Sequence, residues 1–138
     1  SFNPRLKEEG KVLFEQREAL GVTQMIVWTA RKSFIDKNRA AMIDFMEDML
    51  RITRWYQDPK NHEEVAKIAS NLTKVPPERF GWLFTKQDTF RDPNLIPNVE
   101  ALQRNVDVTY DLGFVKKKID IKNYVDLSLV QEAAKRVK

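Results

Sequence analysis

The amino-acid sequence predicts a helix-rich α/β fold in which one or two strands are followed by about five helices. Residues 22–30, Val-Thr-Gln-Met-Ile-Val-Trp-Thr-Ala, predict the main strand because β-branched and aromatic side chains dominate them. Apolar side chains that recur every three or four residues beyond residue 38 predict the helices. The length of 138 residues, with 42% hydrophobic and 32% charged residues, is typical of one soluble globular domain.

The first 37 residues hold the predicted strands. Residues 4–10 are typical of a helix end closed by Gly10, and residues 11–14 form a short strand candidate. Residues 22–30 have a nearly continuous apolar centre, which predicts a strand buried on both faces. Two strands of this length cannot complete a sheet, so the predicted sheet is incomplete within this chain.

The rest of the chain is predicted to be helical. Asn38 is a good N-cap for a helix over residues 38–56, which Asp58-Pro59 ends. Asn61, with Glu64 three residues later, predicts a capping box at the start of the next helix. The apolar positions expected to face inward are Met42, Phe45, Met46, Met49, Leu50 and Tyr56 in the first of these helices, and Val65, Ile68, Ala69 and Leu72 in the second.

Three further helical segments are predicted towards the end of the sequence. A short helix begins at Pro77, where the missing N–H costs nothing, and residues 88–98 form a loop. A longer helix is predicted over residues 99–112. Ser128, with Gln131 three residues later, predicts a capping box at the start of a final helix.

The scarcity of cysteine and histidine removes most common catalytic and metal-binding arrangements. No cysteine is present, which excludes disulfides, thiolate metal sites and a cysteine nucleophile. His62, the one histidine, lies at a predicted helix start, where an exposed surface position is expected. The four glycines stand apart, so there is no glycine-rich phosphate loop. We therefore predict a protein that is not an enzyme and that has no metal and no cofactor.

An acidic group on the predicted helix 38–56 is interpreted as solvated surface. Asp44, Glu47 and Asp48 share this helix with Arg51 and Arg54, at spacings that favour ion pairs within one helix. A helical di-metal site would need Glu-x-x-His pairs, and the sequence has none.

Three local patterns occur in an informative order. Phe2-Asn3-Pro4-Arg5-Leu6 is followed by Gly10-Lys11-Val12-Leu13; residues 23–30 lead to Ser33-Phe34-Ile35-Asp36-Lys37-Asn38; and Leu112-Gly113-Phe114-Val115 leads to Tyr124-Val125-Asp126. Together they resemble the C-terminal portion of the solute-binding proteins of nitrate, sulfonate and taurine ABC importers, a family that includes thiamine-pyrimidine binders. Arg39 stands where that family usually has a proline.

The resemblance implies the C-terminal portion of a type II periplasmic-binding-protein fold, in which two α/β lobes close on a solute. Residues 1–21 would be a remnant of the second lobe, residues 22–37 a hinge-crossing strand and helix start, and residues 38–138 a helical part that packs on the first lobe. The ligand-binding residues carried over are Phe2, Asn3, Trp28 and Thr29.

The same resemblance implies the function, the partners and the location. The chain would belong to the solute-binding component of an ABC importer, which captures a small polar or anionic solute and delivers it to a membrane permease. Its location would be periplasmic or otherwise extracytoplasmic, with or without a membrane anchor. No nucleic acid is expected as a partner. Because the strand at residues 22–30 lacks neighbours, the isolated chain is expected to form a dimer.

The alternative interpretation is an all-α module that binds nucleic acid or protein. It would use Lys116–Lys118, Arg39, Arg51 and Arg54. The formal net charge is +4, and acidic and basic residues are mixed on the same predicted helices, which disfavours a nucleic-acid footprint.

Overall fold

The computed structural model describes residues 9–24, 26–83 and 92–137. Six α-helices lie in these ranges: α1, Gln16–Leu20; α2, Lys32–Lys37; α3, Arg39–Gln57; α4, His62–Thr73; α5, Val99–Asp111; and α6, Ser128–Arg136. Three 3₁₀ turns, Pro59–Asn61, Pro77–Phe80 and Ile121–Tyr124, lie between them. The helices at residues 38–56 and 99–112 were predicted with nearly these bounds, and those predictions are confirmed.

The predicted α/β fold is wrong, because the described residues contain only helices, turns and irregular segments. Residues 11–14, 22–24 and 26–30 belong to neither a helix nor a strand. Ile26, predicted at the centre of a buried strand, is 86% exposed. A strand is stabilised by hydrogen bonds to a neighbouring strand, and no described segment pairs with these residues. Most of the predicted helix end at residues 4–10 lies outside the described residues.

The chain forms two compact units, each assembled from two separate stretches of sequence. The first unit comprises residues 1–28 and 97–125, and the second comprises residues 29–96 and 126–138. The lobe assignment of residues 1–21, 22–37 and 38–138 stays a prediction.

The second unit has an apolar core between α3 and α6. Its fully buried centre is formed by Ile43, Leu50, Leu129, Val130, Ala133 and Val137, with Met42 and Met46 packed at the margin. Ile43 and Leu50 are seven residues apart, so they lie on one face of α3, two turns from each other. Helix α3 ends at Asp58, which has an extended conformation because the ring of Pro59 disfavours a helical conformation in the residue before it.

Helix α4 buries less of its apolar side than the spacing predicts. Val65 is buried and Ala69 is partly buried, whereas Ile68 and Leu72 are exposed. The predicted capping box at its start is also wrong. Asn61 takes a helical conformation itself, and its side-chain amide donates to the Trp55 carbonyl instead. Lys74 ends α4 in the left-handed region, with a φ of 60°.

The first unit is organised around α5 by side-chain hydrogen bonds. Asn98 caps the helix by accepting from the Ala101 N–H at 2.9 Å. Gln103 donates to the Ile119 carbonyl at 2.9 Å and accepts from the Ile121 N–H at 2.8 Å, which fixes the loop before the last 3₁₀ turn. Ala101 is the one buried apolar residue that the described part of this unit contains. The described part of this unit therefore has several side-chain hydrogen bonds to the backbone but little apolar burial.

Candidate functional site

The four residues that the sequence analysis assigns to ligand binding lie in two places. Phe2 and Asn3 lie outside the described residues. Trp28 and Thr29 are adjacent and exposed. Trp28 is the last residue of the stretch 1–28 of the first unit, and Thr29 is the first residue of the second unit. Their role in ligand binding stays a prediction.

A depression of about 210 Å³ lies on the first unit, between α1 and α5. It is lined by Gln16, Leu20, Thr23, Arg104, Asn105, Val108 and Thr109. Protein sites for drug-sized ligands usually enclose about 300–1,000 Å³, so this depression suits only a solute of a few heavy atoms. We refer to it as the α5 depression.

Hydrogen bonds within the chain orient the polar groups of the α5 depression. Gln16 Nε2 donates to Thr23 Oγ1 at 3.2 Å, and Thr109 Oγ1 donates to the Asn105 carbonyl at 2.6 Å. Arg104 Nη2 donates to the Val22 carbonyl at 3.0 Å, which leaves the rest of its guanidinium for other acceptors. These hydrogen bonds hold the side chains in place.

The lining of the α5 depression carries one positive charge and no carboxylate. Arg104 supplies the guanidinium, Thr23 supplies a hydroxyl, and Leu20 and Val108 supply an apolar surface. A planar guanidinium binds carboxylates and other oxyanions through paired N–H groups. The arrangement can therefore hold a small anion that has a short apolar part.

The sequence analysis missed this group of residues. They come from two distant stretches of the chain, residues 16–23 and 104–109, and none belongs to a recognised motif. One local signal was present: Gln103, Arg104 and Asn105 are three consecutive polar residues between the apolar positions Leu102 and Val106 of α5. On a helix, three consecutive residues point about 100° apart, so such a run reaches neighbours in several directions.

Two arginines of the second unit, Arg39 and Arg54, are engaged in contacts within that unit. Arg39 donates to Ser128 Oγ at 3.0 Å and pairs with Glu132 at 3.3 Å. Arg54 donates to the Val137 carbonyl at 3.1 Å and to Asn94 Oδ1 at 2.9 Å. These contacts link α3 to α6 and to the loop before α5.

The acidic residues of α3 belong to the same set of contacts. Glu47 pairs with Arg51 at 2.6 Å, as the spacing predicted. Asp44 pairs with Arg136 of α6 at 2.9 Å, an interaction that connects two helices. Within residues 9–24, 26–83 and 92–137, no group of three acidic or histidine side chains is placed to bind a metal ion. His62 is the first residue of α4 and is half-buried.

The predicted capping box at Ser128 is wrong, because Leu127 is the N-cap of α6 and Asp126, one residue before it, accepts the hydrogen bonds of Ser128. The hydroxyl and the backbone N–H of Ser128 both donate to Asp126 Oδ1. These two hydrogen bonds, with a smaller contribution from the charge of Arg39, lower the pKa of the Asp126 carboxyl below its ordinary value. Ser128 therefore donates to Asp126 and does not act as the N-cap of α6.

Two surface properties bear on possible partners. Lys116, Lys117 and Lys118 form no ion pair with any residue that the structure describes. None of the described helices combines the length and the hydropathy that a bilayer-crossing helix needs.

Comparison of the chain with protein-family models, with curated proteins and with solved structures gives no match.

Proposed function

We propose that this chain is part of the solute-binding component of an ABC importer, which captures a small polar or anionic solute and delivers it to a membrane permease. The ordered patterns at residues 2–13, 23–38 and 112–126 suggest this function. The proposal does not depend on a sheet within the chain. It needs compact units, connections at which the backbone can turn, and polar groups for the solute.

The observation that carries the proposal is the path of the chain between its two compact units. The chain passes from one unit to the other at residues 28–29, 96–97 and 125–126. The first passage falls within residues 22–37, where the resemblance to solute-binding proteins expects a hinge crossing. Proteins that close on a ligand by a hinge motion are built from compact units joined by short connections, because a few residues can then absorb the backbone rotation.

The α5 depression supports the proposed class of solute. Its single guanidinium and its hydroxyl and amide groups match an oxyanion, and its volume of about 210 Å³ matches a molecule of a few heavy atoms. Small sulfonates and carboxylates have this chemistry. Arg104 is therefore a second position, besides Trp28, at which the proposal can be tested by substitution.

Calorimetric titration of the complete gene product tests the proposal. The titrants are taurine, a short alkanesulfonate, nitrate and an aminopyrimidine. We expect one of them to bind with a Kd near the micromolar range, about −8 kcal/mol. The 138-residue chain alone should bind the same solute no better than about millimolar, because it supplies only part of the binding groups.

Substitutions then test where the solute binds. Trp28→Ala should weaken binding at least about tenfold if the aromatic ring covers the solute. The matched control is Trp55→Ala, which removes the same side chain from α3 and should leave affinity unchanged. Absence of heat with every titrant would contradict the proposal, and equal losses in both variants would contradict the role of Trp28.

A protein-binding all-α module is the second candidate function, because the described residues are helical and contain no strand. Its nucleic-acid version is less well supported, since Arg39, Arg51 and Arg54 have partners within the second unit. An electrophoretic shift with short DNA and RNA at low salt distinguishes the two versions. A shift that disappears between about 50 and 200 mM salt would favour nucleic-acid binding through Lys116–Lys118.

A further inference from the structure

A loop of the first unit, residues 112–125, carries most of the chain's net positive charge. It contains four lysines and one aspartate, so its net charge is +3, whereas the whole chain of 138 residues has a net charge of +4. The four lysines, Lys116, Lys117, Lys118 and Lys122, are exposed and form no ion pair with the part of the chain that the structure describes. We refer to residues 112–125 as the lysine loop. Its ammonium groups are free to contact an anionic partner.

The start of the lysine loop is fixed by the end of α5. Gly113 has a φ of 78°, in the left-handed region that favours glycine, and its N–H donates to the Tyr110 carbonyl at 2.8 Å. The Phe114 N–H donates to the Thr109 carbonyl at 3.0 Å. This pair of hydrogen bonds is a Schellman motif, in which the residue after the glycine frequently packs on the last turns of the helix. Phe114 does not pack in this way, since its side chain is exposed.

The second half of the lysine loop is held by α5 as well. The side chain of Gln103 is hydrogen-bonded to the backbone of Ile119 and Ile121, and the 3₁₀ turn Ile121–Tyr124 packs against the helix. Ile119 and Ile121 are accordingly half-buried, whereas Tyr124 is exposed. Helix α5 therefore fixes the backbone at both ends of the loop.

Three large apolar or aromatic side chains flank the lysines of the loop. Leu112, Phe114 and Tyr124 are 66%, 78% and 78% exposed. A single exposed apolar side chain is ordinary, but these three share one short segment with four lysines. This combination suits the interface of a lipid bilayer, where apolar side chains are buried, tyrosine is favoured, and lysines are attracted to anionic headgroups.

We infer that the lysine loop docks this chain reversibly on the surface of an anionic lipid bilayer. The ammonium groups of the lysines contact the anionic headgroups, and the side chains of Leu112, Phe114 and Tyr124 enter the interface between them. Since hydrogen bonds to α5 already fix the ends of the loop, docking has a small cost in chain entropy. The inference is independent of solute binding, because no residue of the lysine loop lines the α5 depression.

The other class of anionic partner is a nucleic acid, and the composition of the lysine loop disfavours it. Proteins recognise nucleic acids with arginines, side-chain amides and aromatic rings that stack on bases, in addition to lysines. The lysine loop has no arginine, and Asn123 is its one side-chain amide. The side chain of Leu112 cannot stack on a base, whereas burial in a bilayer interface is favourable for any apolar side chain.

Co-sedimentation of the 138-residue chain with large unilamellar vesicles tests the inference. The vesicles contain phosphatidylcholine alone or phosphatidylcholine with about 30% phosphatidylserine, in about 0.1 M salt, at which the Debye length is about 10 Å. We expect the chain to bind the anionic vesicles at least about tenfold more tightly than the neutral vesicles, because four lysines contact the anionic headgroups.

Charge substitutions locate the contact. The double variant Lys117→Gln/Lys118→Gln should bind the anionic vesicles about 25-fold less tightly, at about fivefold for each lysine. The matched control is Lys60→Gln/Lys135→Gln, which removes the same charge from two exposed lysines of the second unit. Its affinity should stay within about threefold of the original value, because charges more than a Debye length from the bilayer are screened.

A fluorescent label distinguishes insertion of the loop from attraction by charge alone. The chain has no cysteine, so a polarity-sensitive fluorophore attached to Phe114→Cys reports on that position only. Its emission should shift to the blue on anionic vesicles, whereas the same label on Leu72→Cys, an exposed position of α4, should not shift.

Four results would overturn the inference. They are no sedimentation with anionic vesicles, equal losses of affinity in the two lysine variants, an unchanged emission from the label at position 114, and an equal shift from the label at position 72. Tighter binding to a short single-stranded DNA or RNA than to anionic vesicles at the same salt concentration would also overturn it, since a nucleic acid would then be the partner.

Discussion

Replacement of Leu50 by alanine measures the packing between α3 and α6. Leu50 has none of its surface exposed and lies in the core that joins these helices. The change removes three buried carbon atoms, which corresponds to about 2.4 kcal/mol of lost transfer free energy at about 0.8 kcal/mol per carbon. The cavity that remains adds to this loss. We therefore expect the free energy of unfolding to fall by about 3–4 kcal/mol.

The matched control is Ile52→Ala on the same helix. It also removes three carbons, but Ile52 is 52% exposed and lies on the face of α3 opposite Leu50. Half of its surface is already in contact with water, and little cavity can form there. A loss below about 1 kcal/mol is expected.

Urea unfolding followed by circular dichroism at 222 nm gives both values. With an m-value of about 2 kcal/mol/M, Leu50→Ala should lower the midpoint by about 1.5–2 M and Ile52→Ala by less than about 0.5 M. Equal shifts, or a larger shift for Ile52→Ala, would refute the assignment of the core to the Leu50 face.

The remaining predictions concern two helix ends and two arginines of α3. Asp126→Asn should remove a pH-dependent contribution to stability. Because the folded-state pKa of Asp126 is lowered, that contribution is present at pH 7 and is lost as the pH falls below about 3.8. The melting temperatures of the wild type and the variant should therefore converge in acid. Arg54→Ala should lower the free energy of unfolding by about 1–3 kcal/mol in urea titrations, since the Val137 carbonyl loses its hydrogen-bond donor. Arg51→Ala should lower it by less than about 0.5 kcal/mol, because the ion pair of Arg51 within α3 is exposed. Lys74→Gly should raise the melting temperature by a few degrees, because a φ of 60° strains any residue that has a Cβ; an unchanged or lower value would contradict the strained cap.

The long helices could be predicted from sequence because their stabilisation is local. Each backbone N–H in α3 or α5 bonds four residues back, and the apolar spacing marks the buried side. Ile43 was missed in this pattern although it is buried, and Phe45 was included although it is exposed. The spacing finds a helix, but α3 has apolar residues on both sides, and only the position of α6 decides which side is buried.

The strand at residues 22–30 could not be judged from sequence, because a strand depends on a partner. The residue types have strand propensity, yet propensity describes how well a side chain fits between neighbouring strands. The described chain supplies no neighbouring strand, and side chains of α5 occupy two carbonyls instead. The capping box at Ser128 failed because α6 begins one residue earlier than the box requires: Leu127 is the N-cap and Ser128 is already helical, so the Ser128 hydroxyl donates to Asp126 instead.

The candidate site was only partly open to prediction. Trp28 and Thr29 came from a resemblance of local patterns, which assigns positions along the chain. Arg104 and Thr23 meet in the α5 depression because the chain returns to the first unit after residue 96, and no local pattern encodes that return. Long-range placement of this kind follows from the packing of the whole chain.

The two units should therefore be stabilised by different interactions. Among the described residues, the second unit buries ten, apolar except for Thr53, whereas the first unit buries only Ala101. A hydrogen bond exchanged with water contributes about 1 kcal/mol, while fixing one residue's backbone costs about 1–2 kcal/mol, so side-chain hydrogen bonds alone cannot order the first unit. Additional apolar burial must supply the difference, and the exposed side chains at residues 12–14 and 26–28 are where it is available.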